Sequence, residues 1–224
     1  MIPATEMTSP KKEVQAHGFL WERQLLIRAY GATEAELATL SYTSPYDLPA
    51  AMNRTTGANL SIKANRGHII DMAAALRIFD EVTTTSTPFH LTLVNWKQET
   101  PTTKRVIGIR EIDLTGTAPL LFGTVTRAEV EVLDRLIKAV PQGRSPTPEE
   151  HAAIYAMRDS LKSRLGFISL AVKCNSTQSR LQCSFNLAKF LAKHPERLIA
   201  ASTSAALHGG TIDEIIESGP RKFA

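Results

Sequence analysis

A chain of 224 residues can bury one substantial core, which allows one or two domains. Its 43% hydrophobic and 21% charged residues are ordinary for a globular protein, and no run approaches the ~18 apolar residues a membrane helix needs. The net charge of +4 is a weak global signal, but the acid-free AVKCNSTQSRLQCS and the basic tail GPRKFA lean toward an anionic partner without choosing nucleic acid over an acidic protein.

The start, MIPATEMTSPKKEVQ, has no apolar h-region, so we expect no secretory signal there and a loose arm over residues 1–13. From Val14 to Tyr30 the apolar residues recur at helical spacing, and Gly31 supplies a stop. Residues 37–48 and 58–64 look extended, with Gly57 marking the turn between them. The spacing of Met72, Leu76 and Phe79 predicts a helix over 69–82. Strands follow over 89–96 and 104–114, around the turn KQETPTT.

The second half turns helical. Thr126 with Glu129, and Thr147 with Pro148 and Glu150, carry the pattern of capping boxes that open two helices. After Gly166, FISLAVKCN and RLQCSFN read as strands joined by a polar turn, then LAKFLAKH as a helix and an Ala-, Ser- and Gly-rich tail of ambiguous type. Strands and helices alternate without a strict βαβ rhythm, so we expect one α/β domain over 14–224, with a central mixed β-sheet flanked by helices. Cys174 and Cys183 are too few for a disulfide framework and read as reduced thiols of a cytoplasmic protein. The six histidines are scattered without the spacing of a zinc site.

The stretch SPYDLPAAMNRTTGANLSIKA presents two charges, Asp47 and Lys63, on neighbouring extended pieces. Both suit the solvated ends of a hairpin. They also suit metal-assisted phosphodiester cleavage, in which a carboxylate holds a divalent cation and a lysine orients water or neutralises developing charge. Period-two exposure would turn Ser61 and Lys63 to such a site while Leu60 and Ile62 face the core. Glu22 is a single acid inside the apolar GFLWERQLL, where it must be exposed, metal-bound or paired with Arg23 or Arg28. Asp71 would sit near the start of the helix expected over 69–82, where the helix dipole favours an acid in any case. In KCNSTQSRLQCS, Lys173, Asn175, Ser176, Gln178, Arg180 and Gln182 alternate with apolar residues and include no acid, which suits base-edge reading as well as a plain polar hairpin.

The order of a helix with HGFLWE, then YDLP, then LSIK resembles the PD-(D/E)XK nuclease superfamily, and in particular its type II restriction endonuclease-like members. The resemblance covers about residues 17–80, and KCNSTQSRLQCS is similar to Gln/Arg-rich strands of such enzymes over 167–185. It implies a restriction-endonuclease-like fold, with a catalytic core over about 17–115 and a helical, DNA-reading part over about 126–224. Asp47 matches the metal-binding aspartate, Lys63 the lysine and Glu22 the acid of the first helix. Ser61 stands where the family usually has Asp or Glu, which implies a second ligand recruited elsewhere, Asp71 first and Glu81 second, and Tyr46 replaces the usual proline. The implied activity is a Mg²⁺- or Mn²⁺-dependent endonuclease that cuts double-stranded DNA at a short site as a homodimer, in the cytoplasm and away from membranes. A non-catalytic DNA-binding protein that keeps the fold is the alternative.

Overall fold

The computed structural model describes residues 20–41 and 44–217, so the arm expected over 1–13 lies outside the described residues. The chain is a mixed α/β protein. It divides into two compact units, each drawn from segments remote in sequence, a partition that the expectation of one continuous domain does not address. The first takes the described residues up to Arg66, Leu91–Ile112 and those from Ile199 onward; the second takes Gly67–His90 and Asp113–Leu198.

The first unit opens on helix α1, described over 20–28. Trp21, Leu25, Leu26 and Ala29 recur at intervals of three and four, so one face of α1 is apolar and fully withdrawn from water. Gly31, at φ 75°, reverses the chain after the last turn. Helix α2, Glu34–Thr39, corrects the extended segment expected from residue 37. Thr33 and Glu36 form a reciprocal capping box, and that local signal nucleates a helix where alternation had suggested a strand. The Arg54 guanidinium and the Thr33 donors hold the Glu36 carboxyl down at about 2.

A mixed five-stranded sheet supports the unit, in the order β1 (Asn59–Asn65), β3 (Phe89–Thr100), β4 (Thr103–Asp113), β10 (Ile215–Glu217), with β7 (Leu198–Ser202) also on β4. β3 and β4 run further than expected because KQET continues the strand and only Pro101 and Thr102 are left to turn. Leu60, Ile62, Val94, Val106 and Ile109 pack with the α1 face into one core, each large side chain contributing roughly 1.5–3 kcal/mol by leaving water. The short hairpin β8 (Ala206–Leu207) and β9 (Gly210–Thr211) turns on His208 and Gly209, both at positive φ. A Cβ on Gly210 would stand 2.1 Å from the Arg28 carbonyl oxygen, so only glycine admits this approach to the end of α1.

In the second unit, β2 (Ile69–Ala74) leads directly into α3 (Ala75–Thr83), which corrects the single helix expected over 69–82. Buried Ile70 and Met72 alternate with exposed Ile69 and Asp71, a period of two; the four-residue period begins only with Ile78 and Val82. The sheet order is β2-β6-β5, with β5 at Ile168–Asn175 and β6 at Gln178–Asn186. A register shift between Asp71 and Ala73 bends β2 out of the sheet toward α3. After the short α4 (Ala118–Phe122), helices α5 (Arg127–Lys138) and α6 (Pro148–Lys162) start on the two expected capping boxes. α5 packs against α3, α6 and β6, and α7 (Leu187–Lys193) follows β6 where LAKFLAKH predicts a helix.

Candidate functional site

Asp47 is carried into β1 by a single antiparallel bridge between Leu48 and Leu60. Its amide donates to the Leu60 carbonyl at 2.9 Å, which seats the carboxylate over the next residues of the strand. There Asp47 Oδ2 accepts from the Ile62 amide at 2.6 Å, the Ser61 hydroxyl at 3.3 Å and Lys63 Nζ at 3.3 Å. Leu60 and Ile62 lie in the core, so the alternation along β1 frees Ser61 and Lys63 to meet Asp47. Lys63 Nζ also donates to the Ile62 carbonyl at 2.8 Å, and the pair is partly shielded, with side chains 25% and 35% exposed. All three donors converge on Oδ2; among the described residues none is given to Oδ1.

Glu22 joins this pair from α1. Burial pushes its carboxyl up to about 7, with the Lys63 ammonium pulling it down and the Asp47 carboxylate adding to the rise. The neighbours that could have neutralised it are engaged elsewhere, Arg23 with Glu34 and Arg28 with Asp213 at 3.3 Å. Asp213 also exchanges two hydrogen bonds with Gln24, at 2.6 and 2.7 Å, and its carbonyl accepts from the Trp21 indole at 2.8 Å. These contacts fix the rotation of α1 that places Glu22 in the field of Asp47 and Lys63.

Asp71 occupies an exposed position on β2 opposite Ser184 of β6, not the start of a helix. Asp71 and Glu81 both belong to the second unit, whereas Glu22, Asp47, Ser61 and Lys63 share the first. Among the described residues no group of three or more His, Cys, Asp or Glu side chains gathers in one place. Two carboxylates beside one lysine nevertheless fit Mg²⁺, which binds through one or two carboxylates and otherwise keeps water and phosphate oxygens. The unengaged Oδ1 of Asp47 and the Glu22 carboxyl are the oxygens that would take it.

The second unit gathers the expected base-reading residues on the β5–β6 hairpin. Its register sets Lys173 opposite Arg180, Asn175 opposite Gln178 and Ala171 opposite Gln182, while Val172 opposite Leu181 and Leu170 opposite Cys183 form the other face. Lys173 and Arg180 are exposed, and neither has a carboxylate within 4.0 Å among the described residues. Like charges set directly across a strand pair are destabilising, so the ladder suits an anion laid over it. Ser176 lies in the turn, and Asn175 Oδ1 accepts from the Thr177 amide and hydroxyl and the Gln178 amide, each at 2.9 Å. Asn175 therefore shapes the turn with its oxygen and keeps only its amide nitrogen for a partner.

A second polar cluster in the first unit has no counterpart in the sequence argument. Glu111 of β4 is completely buried and bonds His208 Nε2 in the β8–β9 turn. The Tyr30 hydroxyl bonds Thr92 Oγ1 at 2.5 Å, and burial, with the Glu111 carboxylate nearby, pushes the phenol far up. Glu111 sits two residues from core Ile109 on the same side of its strand, and that inward parity is the one signal that could have exposed it. The cluster ties the end of α1 to β3, β4 and the small hairpin.

Comparison with protein-family models, with curated proteins and with solved structures finds no match to this chain. Among the described residues no helix is long and apolar enough to cross a membrane.

Proposed function

We propose that this protein is a metal-dependent endonuclease of the PD-(D/E)XK kind that hydrolyses phosphodiester bonds of double-stranded DNA at a short site. The observation that carries the proposal is the convergence of Ser61, Ile62 and Lys63 on one oxygen of Asp47 with Glu22 in the same electrostatic field. Asp47 is pre-oriented by three donors on Oδ2, and among the described residues no hydrogen bond occupies its Oδ1. Glu22 supplies the second carboxylate that Ser61 lacks. A divalent cation held by Asp47 and Glu22 would act as Lewis acid on the phosphodiester and lower the pKa of a bound water. Lys63, the only cation in direct contact with Asp47 among the described residues, would orient that water and offset charge growing on the phosphate. Ser61 is almost wholly buried and acts by holding Asp47, not as a ligand itself.

Recognition falls to the β5–β6 hairpin, where Arg180, Gln178, Gln182 and Lys173 present donors suited to base edges and phosphates on its open face. Cleavage of both strands at a symmetric site would use a homodimer, each copy bringing one centre. The test is incubation of plasmid DNA with the protein and Mg²⁺, beside an EDTA control and Lys63→Ala. Discrete fragments that vanish with EDTA and with Lys63→Ala are expected. Intact plasmid across divalent cations, with duplex still bound, would replace the enzyme with the non-catalytic DNA-binding alternative.

A further inference from the structure

A cavity in the second unit lies outside all of these assignments. Its volume is about 200 Å³, and it is lined by Arg158 and Lys162 of α6, Leu165, and Ile168, Ser169 and Leu170 of β5. Arg158 is held in place: its guanidinium lies 4.3 Å over the Tyr155 ring, and its Nε and Nη2 reach Asp159 at 2.9 and 2.6 Å. Its Nη1 has no hydrogen-bond partner among the described residues, and Lys162 is exposed with no carboxylate within 4.0 Å. Asp159 pairs with Arg158, and Lys162 stands without a carboxylate in reach among the described residues, beside exposed Ser169. An oriented arginine fork, a lysine point charge and a hydroxyl are the donors that phosphate oxygens take.

We propose that this cavity is a phosphate-binding site that holds one backbone phosphate of the nucleic acid lying along β5. The inference rests on the DNA-reading role given above to the hairpin. β5 is the outer strand of its sheet, and Ser169 falls on the same face as Lys173 by strand alternation. Four residues at ~3.3 Å each put the lysine ladder ~13 Å from the cavity, about four base-pair steps of ~3.4 Å along a duplex axis. The spacing between the cavity and the Lys173–Arg180 pair along one edge strand favours a polyanion over free phosphate or a single acidic group.

The experiment titrates a labelled DNA duplex, in the absence of divalent cations, over a range of salt. Arg158→Ala/Lys162→Ala is compared with wild type, Lys173→Ala/Arg180→Ala and Lys63→Ala. Loss of one phosphate contact lowers the slope of log affinity against log salt by about 0.9, and we expect that change together with a roughly tenfold weaker duplex. Lys162→Glu changes only an exposed side chain and should weaken the duplex in the same direction, which covers loss of packing in the double variant. Unchanged affinity and slope in both cavity variants, with Lys173→Ala/Arg180→Ala still weakening the duplex, would overturn the cavity assignment alone. Weakened binding of inorganic phosphate without any change in duplex binding would overturn it as well. No duplex binding by the wild type would remove the hairpin's role with it, whereas the separate plasmid assay with Mg²⁺ and Lys63→Ala reports on the proposed metal centre.

Discussion

Ile62 donates its amide to Asp47 Oδ2 at 2.6 Å, so a side-chain carboxylate takes the rung beyond the Leu48–Leu60 bridge that a backbone carbonyl would otherwise fill. Asp47 is therefore both an element of the strand pairing and the proposed metal ligand. Asp47→Ala strands the partly buried Ile62 amide and leaves Lys63 without its carboxylate, and should cost about 1–3 kcal/mol in urea unfolding while abolishing cleavage. Lys63→Ala removes only one partner of a partly exposed ion pair, and should change stability by about 1 kcal/mol or less while abolishing cleavage equally. Cleavage that survives either substitution would exclude the centre.

Glu22 gives the fold a pH dependence of definite sign. Its carboxyl titrates near 7 in the folded chain against an ordinary value of 4.5. Below 4.5 both states are protonated and its stabilising contribution is complete; between 4.5 and 7 the unfolded chain ionises first, and stability is lost as pH rises. Glu22→Gln should flatten the wild-type decline in urea midpoint across that window. At pH 8, Mg²⁺ should raise the wild-type midpoint, because the cation replaces the missing proton as counter-charge, and should raise that of Glu22→Gln far less.

The opposed Lys173 and Arg180 predict a trade between stability and binding. Lys173→Ala relieves a like-charge pair and should leave stability unchanged or about 0.2–0.5 kcal/mol higher, while duplex affinity falls. Thermal melts with a salt-dependent titration check both effects. A variant that loses stability and keeps its affinity would mark the ladder as structural.

Glu111 and His208 predict a large effect from a position outside the proposed site. His208→Ala removes the imidazole from fully buried Glu111, which keeps the Tyr30 hydroxyl beside it, and should cost about 1–3 kcal/mol, read as a lowered urea midpoint. His208→Ala/Glu111→Leu should recover much of that loss, since an apolar side chain of similar size needs no partner there.

Much of the fold was legible where the deciding interactions are local. The boxes at Thr126 and Thr147 are satisfied within three residues, and the strands flanking the Ser176–Thr177 turn alternate without interruption. The two misassigned segments were ambiguous for the same physical reason. IIDMAAALRIF carries a strand period and a helix period end to end, and the junction at Ala74 is set by pairing of β2 with β6, far along the chain. At residues 34–39 the Thr33 capping box competed with a weak alternation, and Arg54 adds its grip on Glu36 from outside the helix.

The candidate site divides in the same manner. Residue types and alternation alone determined that Asp47, Ser61 and Lys63 could share one face, because a strand turns its side chains over every second residue whatever its surroundings. Which acid stands with them was decided only in three dimensions. Asp71 was favoured as an acid recruited from the helix expected after Lys63, whereas the Asp213 contacts that fix α1 set Glu22 in the field of Asp47 and Lys63. Glu111 was invisible for the complementary reason: an acid on a strand reads as exposed until the packing on its inward side is known.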